Sequence, residues 1–219
     1  MGKACITDRR IFLKATAAVT ASAAGAVPFS IFASPARDPG VNIVGPKPGY
    51  SPQIGTMVSM LTWMQRAVVG PVQGMTQNDL DHLLDANANT IGALLLHLAA
   101  TETYYQMHAF QGMKWGSWPE SVKQKWDPAM ELGDEGRRKI KGHPLGFYLD
   151  ALNEAREKTL AEFRKRDDAW LMAIDENWVW GPTNNYCKWF HVCEHISHHA
   201  GQIQFQKKRL PGAKEGNRE

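Results

Sequence analysis

Residues 90–110 read TIGALLLHLAATETYYQMHAF, and no other stretch limits the possible folds as much. Leu94, Leu95, Leu96, Leu98, Ala99 and Ala100 run nearly all round a helix instead of down one side of it. Such a helix must be covered by other elements on every side. Asn89 offers a cap before it, and His97 stands in the middle of the apolar run.

Three further segments show the one-sided pattern that could provide the cover. In SPQIGTMVSMLTWMQRAVVG, residues 51–70, Ser51 is a candidate N-cap and Pro52 a first helical residue. Ile54, Met57, Met60, Leu61, Met64 and Val68 follow at helical spacing, with Gly70 and Pro71 as the expected stop. A third helix is expected from Pro144, with Leu145, Leu149, Leu152, Leu160 and Phe163 on one face. The last runs over residues 185–208 and is ended by Pro211 and Gly212. Four such segments, no internal repeat and almost no strand signal predict an all-α four-helix bundle over residues 51–212. A Pro- and Gly-rich lead-in, residues 37–50, precedes it, and a polar tail, residues 213–219, follows. The connector between the second and third helices is long and carries several tryptophans, with a short helix expected after Pro119. Loops of that length usually function or cover something. The link DDAWLMAIDENWVWGPTNN reads as turns, with a short hairpin or turn at residues 178–180.

The N-terminal stretch TDRRIFLKATAAVTASAAGAVPFSIFASPA has a charged start, a weakly apolar Ala-rich run, and small residues Ser34 and Ala36 flanking Pro35. This is the pattern of a cleaved signal peptide over residues 1–36. Arg9-Arg10 followed by Phe12, Leu13 and Lys14 resembles the twin-arginine export signal, with Asp8 in the usual Ser/Thr place. A retained membrane anchor is the other reading, and the low density of Leu and Ile disfavours it. The expected location is periplasmic or otherwise extracytoplasmic. The net charge of +3 comes from Lys3, Arg9, Arg10 and Lys14 against Asp8, so the remainder is formally neutral. With no basic patch and no later apolar run of spanning length, neither nucleic acid nor a membrane span is expected after signal removal. Cys187 and Cys193 would then sit in an oxidising compartment. On one helix they diverge by about 120°, too far for an unstrained bridge.

The last helix carries HVCEHISHHAGQIQ, residues 191–204, where His191, His195 and His199 recur every four residues. Gln202 extends that stripe and His198 leans to one side. A pair at i and i+4 supplies two nitrogens to one side of an ion, and a third must come from another helix. His97 is the one histidine deep in an apolar segment, and its burial needs a polar or metallic partner. Spacing alone leaves open whether His195 works with His199 or with His191, and a core hydrogen bond would also satisfy His97. Glu102 and Glu194 could orient a ligand imidazole or act as a base, or be solvated helix-face carboxylates. His82, His108 and His143 are expected at the surface.

TIGALLLHLAATETYY and HVCEHISHHAGQI together resemble the second and last helices of the DinB/YfiT-like metalloenzyme family. The likeness spans about residues 51–212, and Ala200 stands where the family tolerates basic residues. The resemblance implies His97, His195 and His199 as ligands of a divalent ion. Zn or Ni is expected first, while imidazole also accepts Fe and Cu. It further implies a metalloenzyme that activates water or a thiol for hydrolysis or group transfer on a small-molecule substrate, in a bundle that often forms homodimers. The alternative is a non-catalytic, metal-binding or stress-related bundle, because a fold does not fix a reaction.

Overall fold

In the computed structural model, residues 40 and 42–213 are described. The expected export signal, residues 1–36, lies outside the described residues, as does nearly all of the tail. The first long helix, α1 (Pro52–Val72), is followed by a short α2 (Gln77–Asp81) and the central α3 (Ile91–Gln111). Next come α4 (Glu120–Glu131), α5 (Gly133–Lys139), α6 (Leu145–Phe163) and α7 (Asp168–Met172). Two-residue strands β1 (Ile174–Asp175) and β2 (Thr183–Asn184) pair antiparallel before α8 (Asn185–Lys207). The four long helices are α1, α3, α6 and α8. Helix α3 packs on α6 and α8, and α1 packs on the same two, which closes a bundle around the core.

The core explains why α3 is apolar on every side. Leu94, Leu95, Leu98, Ala99 and Ala100 are all buried, as are Leu61 of α1, Phe163 of α6 and Ile203 of α8. Each large side chain so buried contributes about 1.5–3 kcal/mol. Gly92 marks a close approach: a Cβ there would lie 2.8 Å from the ring of Tyr148 on α6. The lead-in is held in the same way against Gly55 of α1, where a Cβ would meet the Lys47 backbone nitrogen at 2.5 Å.

Several helix ends differ from expectation. Ser51 occupies the N-cap of α1 but makes no side-chain cap bond to it. Its hydroxyl instead donates to Asp168 of α7, 2.5 Å away, and Asp168 accepts the orphan N–H groups of Gln53 and Ile54. A distant carboxylate therefore does the capping. Helix α1 also runs through Pro71 to Val72, since a proline in the last turn forfeits only one hydrogen bond. At α3 the cap is Thr90, whose Oγ1 accepts from the Ala93 N–H at 3.0 Å. Asn89 serves α5 instead, accepting from the Gly133 N–H at 3.2 Å. Gly112, at φ +69°, closes the other end of α3 in the left-handed conformation.

The connector after α3 holds the short helix expected after Pro119, α4, which lies against α3, and a further helix, α5. They are separated by Leu132, a non-glycine residue at φ +58°, which breaks the chain direction abruptly. The link before α8 does contain the expected small hairpin. Cys187 and Cys193 both lie within α8 and are free thiols. Among the described residues no helix is long and apolar enough to cross a membrane.

Candidate metal centre

Helix α3 contributes His97, and α8 contributes His195 and His199 one turn apart. Their Nε2 atoms point at one another: His195 Nε2 lies 3.2 Å from that of His97 and 3.0 Å from that of His199. One nitrogen from each residue falls within 4.8 Å of the others. Imidazole nitrogens bound about 2.1 Å from one ion sit about 3.0–3.4 Å apart, so the two spacings to His195 suit a shared cation.

The outer hydrogen bonds decide which nitrogen carries the proton. His97 Nδ1 lies 2.9 Å from the Ala129 carbonyl oxygen of α4. A carbonyl can only accept, so the proton is on Nδ1 and His97 Nε2 presents a lone pair. His199 Nδ1 lies 2.8 Å from Gln202 Oε1, while the Gln202 amide nitrogen is 3.1 Å from His198 Nε2. With the amide oxygen toward His199, the proton lies on Nδ1 and His199 Nε2 is a lone pair as well. His195 Nε2 carries at most one proton and can satisfy only one of its two neighbours. Three such nitrogens without a cation leave lone pairs in opposition, and a divalent ion removes the conflict. The residues present therefore fit a metal.

Electrostatics point the same way. Burial holds the His97 pKa below its ordinary value, although the carbonyl of Ala129 opposes the shift. Burial, followed by the neighbouring imidazoles, takes His195 down to about 3. Burial and then His97 take His199 to about 4. All three rings are neutral at pH 7, which is the protonation state a metal requires.

The remaining candidates go elsewhere. His191 turns aside and hydrogen-bonds through Nδ1 to the carboxylate of Glu194 at 2.6 Å, so the face of α8 directed at His97 is the one bearing His195 and His199. Glu194 is exposed, and among the described residues its hydrogen bond is to His191, not to the three converging rings. Glu102, expected either beside a ligand or in solvent, does neither. It is buried against α6, where Arg156 donates to both of its oxygens at 2.8 and 2.9 Å and the Thr159 hydroxyl donates at 2.6 Å. Five residues after His97, it leaves α3 on a different face.

His108 is not the surface residue expected. Its Nδ1 donates to the Met113 carbonyl oxygen at 2.8 Å, and its Nε2 lies 2.8 Å from Lys188 Nζ. His82 and His143 are half-buried and meet none of the three rings. Sequence reasoning missed the roles of the Ala129 carbonyl and Gln202 in holding the rings. For Gln202 the i+3 spacing from His199 was a usable signal, while a backbone carbonyl on another element leaves no trace in sequence.

The family model described as mycothiol-S-transferase matches residues 56–211. No curated protein matches the chain. Among solved structures, a conserved protein from Enterococcus faecalis superposes with a TM-score of 0.53 at 16% identity, over 69% of this chain and 93% of that one. At that identity the likeness is one of fold.

Proposed function

The chain belongs to the mycothiol-S-transferase family, within the DinB/YfiT-like superfamily, and from that premise we propose that it is a divalent-metal-dependent enzyme that transfers the sulfur of a small thiol to an electrophilic acceptor. The observation that carries this reading is the approach of the His97 and His199 Nε2 atoms to that of His195, at 3.2 and 3.0 Å, with two outer nitrogens anchored by Ala129 and Gln202. A divalent ion held by His97, His195 and His199 would act as a Lewis acid that lowers the pKa of a thiol or water brought to it.

The chain's own contribution is positional. Ala129 and Gln202 keep the His97 and His199 protons on Nδ1, so neither ring can rotate away without losing a hydrogen bond. Burial of both rings keeps competing water and protons from them. In the transfer itself the thiol loses its proton to solvent or a base, the sulfur forms a bond to the acceptor carbon, and the leaving group departs with the displaced electron pair. Zn and Ni are the proposed occupants.

A second reading has the ion only tying helices together, and it draws on the fact that the three imidazoles bridge α3 and α8. The two are separated by metal analysis of untagged protein, followed by turnover of a small thiol with an alkylating acceptor. Expected for the enzyme is turnover that disappears on chelation and returns with the ion. Equal turnover in metal-free protein would overturn it, and a large loss of melting temperature with no turnover would favour the tie.

We also propose, from Arg9-Arg10 and the segment after it, that the chain is exported. An extracytoplasmic enzyme removed from the cytoplasmic thiol pool could use water as nucleophile, so ester hydrolysis belongs in the same assay. Replacing both arginines by lysine should retain the protein in the cytoplasm, and unchanged export of that variant removes the proposal. A homodimer is proposed with it, to be read by light scattering.

A further inference from the structure

Where α3 ends and α8 begins, a cavity of about 520 Å³ is lined by His108, Met113, Trp115, Asp175, Trp178 and Lys188. That volume lies in the range of small-molecule pockets. Seven residues of α8 separate Lys188 from His195, which is about 10 Å along the helix axis, so the cavity is separate from the histidine centre.

Lys188 is the unusual member. It is 1% exposed, and its ammonium lies 2.7 Å from Asp175 Oδ2, 2.8 Å from His108 Nε2 and 4.7 Å from the centre of the Trp178 ring. Burying a charge costs stability unless it is paired, and a methionine there would pack without that cost. An ammonium has three N–H donors, and among the described residues two protein acceptors meet this one. Lys114 also lines the cavity, whose lining thus carries two lysines and one carboxylate, that of Asp175. The excess of one positive charge suits a monoanion, and a doubly charged phosphate would be opposed by Asp175.

From these donors, this charge and these aromatic walls we infer that the cavity is a second ligand site, which takes a small monocarboxylate with an aromatic or apolar body. The carboxylate is received by Lys188 Nζ, and the body packs on Trp115 and Met113. The site depends on neither the metal nor the reaction proposed above.

Phenylacetate, titrated into the whole chain and followed by calorimetry and tryptophan fluorescence, is the test. Saturable binding is expected, with phenylacetamide weaker by about 10-fold or more because the charge-assisted bond is lost. Lys188→Met should weaken phenylacetate by about 10–100-fold, and Lys114→Met, which removes the excess positive charge, by about 2–10-fold. His199→Ala should bind it unchanged. Equal binding of phenylacetamide, displacement by inorganic phosphate at equal concentration, or no saturable phenylacetate binding overturns the inference. If Lys188→Met does not fold, phenylacetamide and Lys114→Met still decide it. A folded Lys188→Met that binds as well as the parent would show that Lys188, Asp175 and His108 only pin the hairpin to the two helices.

Discussion

His97 and Glu102 stand five residues apart on α3, both buried, yet the clusters they head are built on different terms. Around Glu102, Arg156 supplies a two-pronged pair, Thr159 donates a third bond, and the remaining Arg156 nitrogen reaches the Leu61 carbonyl oxygen at 2.7 Å. Every prominent donor there has an acceptor, and the charges cancel within the group. Around His97, the outer nitrogens of His97 and His199 are satisfied, and the inner ones confront each other. A buried polar cluster that is complete joins elements together. One that is complete only with an added cation is a site. The contrast separates structure from function on a single helix.

The largest expected effect breaks the histidine side of the comparison. Changing His97, His195 or His199 to Ala should lower metal affinity by more than about 100-fold, beyond what losing an outer partner costs. Elemental analysis after dialysis checks it, with His82→Ala and His143→Ala as controls that keep full metal content. Metal kept by His199→Ala but lost from His191→Ala would mean that the other face of α8 holds the ion.

Breaking the carboxylate side should cost stability and leave the metal alone. Glu102→Ala strands Arg156 in the core, at about 3–5 kcal/mol, or about 10 °C of melting temperature. The double variant Glu102→Leu with Arg156→Met should recover most of that loss, because the stranded charge is gone. Metal loss in a folded Glu102→Ala protein would join the two clusters and spoil the contrast.

A smaller change sharpens the histidine side. Gln202→Ala frees the His199 proton to change nitrogen and should weaken metal binding by about 10–100-fold without destabilising the fold. An unchanged affinity would show that burial alone orients His199.

The pH response of metal-free protein follows from the depressed histidines. Unfolded histidines titrate near 6.5, whereas His195 and His199 in the fold titrate at about 3 and about 4. Between those values the unfolded chain binds more protons, so stability is fully present above about 6.5 and is lost as the pH falls toward 4. The melting temperature should drop over that window, and His195→Asn should flatten the curve. The smallest effect is expected at Glu194→Gln, where an exposed partner of His191 is altered: within about 0.5 kcal/mol and with metal content unchanged.

Much of the fold was legible because its determinants are local. The apolar run around Leu95 demanded a covered helix, Pro52 marked a start, and the stripes of α6 and α8 named their inner faces. The ends were read less well. Ser51 looks like a cap in sequence but hands that duty to Asp168, over a hundred positions away. In the connector the helix after Pro119 was expected and α5 was not, because α5 is short, polar and opens on glycine; tertiary contact stabilises what propensity does not.

Sequence by itself determined that a histidine would be buried in the middle of α3 and that α8 would carry histidines at a spacing able to grip an ion. Both are consequences of helical period, which acts over one or two turns. Only the tertiary structure decided that His199 and not His191 faces His97, that Glu102 meets Arg156, and that Lys188 meets His108 and Asp175. Those pairings depend on how far each helix is rotated about its axis when the bundle closes. The rotation is set by the summed packing of many side chains on several helices, and no short stretch of sequence contains it.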